Sequence, residues 1–285
     1  MTDPAQNHSD QIAYWNGAGA VPWVERQERT DRMLAEVAEA AIARADPASG
    51  ESVVDVGCGT GATSLEIARR VGLTGQVTAL DVSAPLMAKA AERLSGCPWA
   101  KIVVADASTY RLPPASADLL FSRFGVMFFG DPDKAFANMR AWMKPTGRVL
   151  FACWRKFAEN PWGMVPLEAT YAHLPRMPKL EPEDPGPFSF ASEDRVSRIL
   201  TNGGFARPEF EPVDFAFDIA GGEGLEGAVA QALAVGPTAR ALGGHPQSMR
   251  DTVAMSVRAA LAPYVVGNEV RLKAAIWLVR TRPAG

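Results

Sequence analysis

Residues 51–154 predict an α/β fold, a mostly parallel sheet flanked by helices, on three observations. Strand-like and helix-like runs alternate through that span. The strand runs are close to continuously apolar, as strands buried on both faces must be. The first strand run also ends in a glycine-rich turn, "VVDVGCGTGATSLEIA" over 53–68, before an amphipathic stretch. The strands expected are "SVVDV" (52–56), "QVTALDV" (76–82), "AKIVVAD" (100–106), "ADLLFS" (117–122) and "GRVLFACW" (147–154). Helices are expected over 61–71, 84–94 and 131–143. Ser83 is a fitting N-cap for the second of these, and Pro85 is suited to its first turn.

On either side of this core the chain divides further. Residues 1–50 read as an N-terminal helical lid, with 1–10 frayed because "MTDPAQNHSD" is polar throughout. Met33, Leu34, Val37, Ala41 and Ile42 share one helical face, and Asp46, Pro47 and Gly50 end that helix. Tyr14, Trp15 and Trp23 stand among glycines, a place for aromatics only if they cover something. Residues 155–190 are proline-rich yet apolar, which predicts a cap insertion. Residues 191–285 return to the core with a helix at 192–203 and a strand near 208–218. A helical insertion rich in Ala and Gly follows over 221–263. A last strand is marked by the alternation of Val270, Leu272, Ala274, Ile276 and Leu278.

Composition narrows the function classes. The chain has 285 residues, a net charge of −3 and no dense basic run, which argues against a nucleic-acid surface. Cys58, Cys97 and Cys153 are odd in number and widely spaced, so neither a disulfide framework nor a metal site is expected. No run of about 18 apolar residues is present, so no membrane span is expected. With no apolar signal core at the start, the expectation is a cytoplasmic protein.

Gly57, Gly59 and Gly61 lie between a strand and a helix, where backbone can approach a ligand at a helix N-terminus. With Ala62 they fit a loose dinucleotide fingerprint, and that pattern alone leaves a nicotinamide-dependent oxidoreductase open. Asp55, two residues earlier, points elsewhere. A carboxylate repels a pyrophosphate and attracts an ammonium. Asp81, at the second strand end, can accept from both hydroxyls of a ribose. Asp106, at the third, can read an adenine edge.

"VVDVGCGTG", "ALDVS", "VVADAS", "ADLLFSRFGVMFF" and "MKPTGRVLFACW", in that order, resemble the motif series of class I S-adenosylmethionine-dependent methyltransferases. The likeness is to the bacterial small-molecule branch related to ubiquinone/menaquinone-biosynthesis enzymes. It covers about residues 30–154, with the strand and helix pattern at 192–218 and 268–281. It implies a Rossmann-like, doubly wound, seven-stranded, mostly parallel sheet with an antiparallel last strand, plus helical cap insertions. It implies that Asp55 and the backbone of Gly57, Cys58 and Gly59 hold the methionine end of the cofactor. Asp81 takes the ribose, with Val82 and Met87 beside the adenine. Asp106 and the Ala107 amide read the adenine edge. Ser122 and Arg123 lie near the methionine moiety, and Tyr14 and Trp15 resemble an aromatic segment closing over the cofactor.

The implied chemistry needs little from the protein beyond alignment and exclusion of water, because the methyl on a sulfonium is already activated. Aromatic faces near a sulfonium are favourable. Phe124 and Phe128, with Trp162 and Tyr171 from the cap, are candidates to line a small, partly apolar acceptor. His173, also in the cap, is the candidate general base. "FSRF" stands where amino methyltransferases of nucleic acids carry an Asn/Asp-Pro-Pro-aromatic tetrapeptide, so a nucleic-acid acceptor is not expected. A homodimer is an open expectation, and so is a module that binds S-adenosylmethionine without catalysis.

Overall fold

The structure, a computed structural model, describes residues 4–178 and 184–285. Four helices come first: α1 (Pro4–Asn16), α2 (Val21–Glu25), α3 (Gln27–Met33) and α4 (Ala35–Ala45). The core then runs β1 (Ser52–Val56), α5 (Ala62–Val71), β2 (Gln76–Asp81), α6 (Ala84–Leu94), β3 (Ala100–Val104), β4 (Ala117–Arg123), α7 (Pro132–Trp142) and β5 (Met143–Trp154). The cap contributes α8 (Pro161–Thr170). After it come α9 (Glu193–Asn202), β6 (Glu209–Asp218), α10 (Gly224–Ala234), α11 (Pro237–Ala241), α12 (Gln247–Leu261), the two-residue β7 (Val265–Val266) and β8 (Glu269–Thr281).

Seven strands lie in the order β3-β2-β1-β4-β5-β8-β6, with β7 paired to β8 beside them. The pairings from β3 to β5 are parallel, and β8 runs antiparallel between β5 and β6. The expected sheet is therefore present. From β1 the chain winds outward through β2 and β3, then returns to the other side of β1 for β4. The direction of winding reverses between β1 and β4, and such a reversal opens a crevice at the carboxyl ends of the two strands.

Burial explains the strands. β1, β2 and β4 are buried over almost their whole length, as their apolar runs require. β3 departs from that expectation: it is an edge strand, and Val104 is 54% exposed. Phe121, Phe136 and Phe151 are wholly buried in the core, each worth roughly 2–3 kcal/mol of apolar burial. Ser83 caps α6 as its sequence suggests, its hydroxyl accepting from Leu86 N. β5 begins four residues earlier than expected, at Met143, across an irregularity in its pairing with β4.

The N-terminal segment corrects one expectation. Residues 4–16 are not frayed: they form α1, and from His8 onward it is tied to the core. His8 Nε2 lies 2.7 Å from Asp106 Oδ2. The Trp15 carbonyl accepts from Ser83 Oγ. Asn16 grips the turn after β2 twice, donating to the Val82 carbonyl at 3.0 Å and accepting from Ala84 N at 3.0 Å. Further along the lid, Arg26, Arg29 and Arg32 recur every third residue and all reach the helical insertion. Arg26 donates to Ala230 O at 2.7 Å and Arg32 to Gly221 O at 2.7 Å, while Arg29 and Arg32 share the carboxylate of Glu223. The insertion in turn packs on the cap, where Trp162 of α8 lies against Gly236 and His173 Nε2 is 2.6 Å from Ser256 Oγ of α12. Lid, insertion and cap are thus linked in series.

Candidate functional site

The crevice at the β1/β4 reversal is where the glycine loop lies. Gly57 has φ +67 and packs so tightly on Gly125 that a Cβ would sit 2.6 Å from the Gly125 Cα. Any larger residue would force β1 and β4 apart at their ends. Gly59, at φ +57, instead faces open space, with nothing within 4 Å of where a Cβ would stand. It leaves room for a ligand against bare backbone.

Asp55 is wholly buried at the end of β1. Its Oδ2 accepts from Thr63 Oγ1 at 2.7 Å and Ser64 Oγ at 2.6 Å, both in the first turn of α5. Its Oδ1 is buried and has no hydrogen-bond partner among the described residues. Burial pushes this carboxyl up to about 6, against the opposing pull of the Ser64 and Thr63 hydroxyls and the charge of Arg123. Asp81 is also buried, and burial raises its carboxyl above the usual range despite the backbone amides that face it. Gly59 N and Ser83 N donate to its two oxygens, each at 2.9 Å. These bonds hold the carboxylate beside the glycine loop and leave it further lone pairs.

Asp106 is half-buried and fixed by its own turn, accepting from Ser108 N at 2.8 Å and Ser108 Oγ at 2.6 Å. A third contact, from His8, falls on Oδ2, the same oxygen that accepts from Ser108 Oγ. Ala107 is buried beneath, its carbonyl accepting from Asn138 Nδ2. Val82 is half-buried under the Asn16 grip. Cys58 and Met87 are both buried and meet sulfur to sulfur at 3.4 Å. Met87 therefore supports the loop from the core and is not open to an adenine. Ser122 is likewise structural: its buried hydroxyl donates to Val56 O at 2.7 Å and accepts from Gly125 N at 3.1 Å. It ties the ends of β1 and β4 together.

The aromatics fall into two groups that meet just after β4. Trp15 packs edge-on against Trp23 and Phe128, with ring centres 6.0 Å and 5.3 Å away. Tyr14 touches Trp15 but is 53% exposed. In the second group Phe124 stacks on Trp154 at 4.4 Å, and Trp154 continues to Trp162 and Phe217. Phe124 holds φ +68, a left-handed conformation that is costly for an aromatic residue. Tyr171 belongs to neither group; Arg176 lies over its ring. His173 is exposed and engaged with Ser256, so it does not join the loop residues. No cluster of metal-ligating side chains occurs among the described residues, nor any helix long and apolar enough to cross a membrane.

The structure thus brings together Asp55, Gly57, Cys58, Gly59, Asp81 and Val82, with Arg123 across the crevice and Asp106 at the neighbouring strand end. Sequence reading missed His8, Asn16, Thr63 and Ser64. Thr63 and Ser64 carried a usable signal, being hydroxyls one turn past a strand-end acid. His8 and Asn16 carried none, because their partners are 98 and 66 residues away.

This sheet order, with a glycine loop and an acid at the winding reversal, defines a class: the Rossmann-like fold of S-adenosylmethionine-dependent methyltransferases. Residues 53–147, a third of the chain, match the family described as a methyltransferase domain. A demethylmenaquinone methyltransferase from Desulfitobacterium hafniense is 34% identical over 113 residues, 39% of this chain and 45% of that protein. The chain spans 22% to 49% of the length of five curated relatives it matches. Among solved structures, a Haemonchus contortus phosphoethanolamine N-methyltransferase bound to phosphomonomethylethanolamine and S-adenosylhomocysteine superposes with a TM-score of 0.54. It is 18% identical, over 99% of this chain and 61% of that one. The [4+2]-cyclase SpnF superposes with a TM-score of 0.52 at 18% identity, over 88% of this chain and 82% of that one. The methyl donor of this domain family is S-adenosylmethionine, and the residues of the crevice fit it. A bare buried carboxylate oxygen suits its ammonium, and the uncovered backbone at Gly59 suits its close approach.

Proposed function

We propose that the chain transfers the methyl group of S-adenosylmethionine to O, N or C of a small, partly apolar organic acceptor. The observation that carries this reading is the unpartnered Oδ1 of Asp55 beside the glycine loop. When bound, the donor supplies a methyl on a sulfonium, open to in-line displacement. The chain's residues do the rest. Asp55 and the backbone from Gly57 to Gly59 hold the amino-acid end, Asp81 the ribose hydroxyls, and Val82, Asp106 and Ala107 the adenine. Trp15 and the lid keep water out. Phe124, Trp162 and Phe128 offer the acceptor an apolar wall and the sulfonium aromatic faces. No base is assigned: His173 is held by Ser256 outside this group.

The acidic net charge and the aromatic wall favour a small molecule over a nucleic acid as acceptor. Three free, buried cysteines suit a reducing compartment such as the cytoplasm. A homodimer is part of this reading; the exposed Met255, Val265 and Val266 offer apolar surface for one.

Two readings compete. An oxidoreductase would set a nucleotide pyrophosphate against Asp55, where like charges repel. A protein that uses this fold for something other than methyl transfer is the second, and the likeness to a [4+2]-cyclase favours keeping it in view. Calorimetry and thermal shift with S-adenosylhomocysteine and NAD separate the first. S-adenosylhomocysteine is expected to bind and NAD not. Asp81→Ala is expected to weaken the former by about 10- to 100-fold, the worth of one or two charge-assisted hydrogen bonds. Wild-type protein that binds NAD but not S-adenosylhomocysteine would reverse the assignment. Transfer of labelled methyl to a component of cell extract separates the second.

A further inference from the structure

The helical insertion carries two buried polar side chains that its own packing leaves unused. Gln231, near the end of α10, is 7% exposed, and Thr238, at the start of α11, is 2% exposed. Gln231 Oε1 and Thr238 Oγ1 have no hydrogen-bond partner among the described residues. The backbone around them is satisfied. Val235 N donates to Gln231 O at 2.9 Å, Arg240 N to Gly236 O at 3.1 Å and Leu242 N to Thr238 O at 3.0 Å. The shortfall is therefore confined to the two side chains. Each such atom costs about 1–3 kcal/mol of lost hydration. Leucine and valine would fill similar space without that cost, and buried polar atoms left unpaired are rare in native proteins.

Both side chains border one turn, and that turn sits on the aromatic row that leads to the crevice. Gly236, between α10 and α11, lies against the Trp162 ring, and Pro237 lies against Gly163. Trp162 packs on Trp154 with ring centres 4.8 Å apart, and Trp154 stacks on Phe124 just after β4. The opposite face of α11 turns toward the lid: Arg240 is exposed, and Tyr14 feels its charge. Thr238 and Arg240 are two residues apart, nearly opposite on a helix, so Thr238 turns inward where Arg240 turns out. α11 thus bridges cap and lid, with its buried polar group on the side of the aromatic row.

We propose that Gln231 and Thr238 form the polar end of the acceptor site and hold a neutral hydroxyl of the acceptor, whose apolar body lies along Trp162 and Phe124. This rests on the methyl-transfer reading above and names a group the acceptor must carry. One hydroxyl meets both needs: it donates to Gln231 Oε1 and accepts from the Thr238 hydroxyl. A carbonyl has no proton to give Gln231. A carboxylate would face the Gln231 oxygen as a buried charge with no counter-ion, since Arg240 turns away. In this arrangement the sheet edge holds the donor and the insertion selects the acceptor.

Ligand-observed NMR titrations with 2-naphthol, 2-methylnaphthalene and 2-naphthoic acid test this. The three probes share one ring system and differ only in carrying a hydroxyl, a methyl or a carboxylate. Each is titrated with and without saturating S-adenosylhomocysteine. The wild type is expected to bind 2-naphthol about tenfold more tightly than the other two. Gln231→Leu and Thr238→Val are each expected to erase that preference. Both are expected to keep wild-type affinity for S-adenosylhomocysteine and a melting point equal to or above that of the wild type. A wild type without the preference overturns the assignment, as does a preference that survives in either variant. A lowered melting point in either variant also overturns it, because the side chain then serves the fold. Tightest binding of 2-naphthoic acid overturns it in favour of an anionic acceptor. If the wild type prefers 2-naphthol but does not bind S-adenosylhomocysteine, the hydroxyl site stands and the methyl-donor reading fails.

Discussion

Asp55 costs the empty protein stability. Its carboxyl is raised from an ordinary value to about 6 by burial. Between those two values the folded chain keeps a proton that the unfolded chain has lost. This group's contribution to stability therefore falls as pH rises through that window. The penalty at neutral pH is roughly 1–3 kcal/mol at 1.36 kcal/mol per unit. Asp55→Asn keeps the acceptor that Thr63 and Ser64 use and removes the charge. It is expected to match the wild type in stability near pH 4 and exceed it by roughly 1–3 kcal/mol at pH 8, while losing affinity for S-adenosylhomocysteine. Denaturant melts across that range check the first and calorimetry the second. For the wild type, affinity is expected to fall as pH drops below about 6, where Asp55 takes up its proton and no longer attracts an ammonium. At this scale much of the site was legible. An acid before a glycine turn, and acids at the next strand ends, announce themselves by type and position. Met87 and Ser122 did not, because whether a strand-end or helix side chain faces ligand or core depends on what lies behind it.

Among the elements, α1 is the least expected. It is a helix cut from a polar sequence, held by His8, Trp15 and Asn16 against the turns after β2 and β3. His8 has a cost of its own, since its Nδ1 is buried without a partner among the described residues, and an unmet buried donor or acceptor costs about 1–3 kcal/mol. Its contact with Asp106 is thus a weak one in competition with an adenine amino group. His8→Ala is expected to tighten S-adenosylhomocysteine by roughly two- to tenfold, mostly through faster association; stopped-flow binding measures it, and slower association would mean that His8 helps to form the site. The core elements were far more legible than this one. Their bounds follow from apolar runs, caps and glycines that act locally, whereas α1 is apolar only near its end, from Ile12 to Trp15, and is ordered by distant partners.

Across the whole molecule, segments from opposite ends of the chain form one cover over the carboxyl edge of the sheet. Glu223 is the joint: Arg29 and Arg32 of the lid both end on it. Each such pair is partly exposed and worth about 1 kcal/mol or less, so the joint guides position more than it adds stability. Glu223→Ala is expected to change the melting point little. Amide exchange should nevertheless quicken together in 21–33 and 221–234, and not in the sheet. If exchange rises in the insertion alone, lid and insertion are independent. Nothing in the sequence joins these segments, which are separated by the entire core.

By itself, the sequence determined the strands of a buried sheet, the glycine loop and the acids at its strand ends. Each of these follows from local rules: apolar runs make buried strands, glycine frees the backbone at a turn, and a strand's end places its last side chain at the sheet edge. Only the tertiary structure decided that Asp55 keeps one oxygen bare among the described residues, that Arg123 lies near enough to feel its charge, and that His8 reaches Asp106. Those facts depend on which groups satisfy one another across long separations. A charge shows that it lacks a partner only when everything around it is in place.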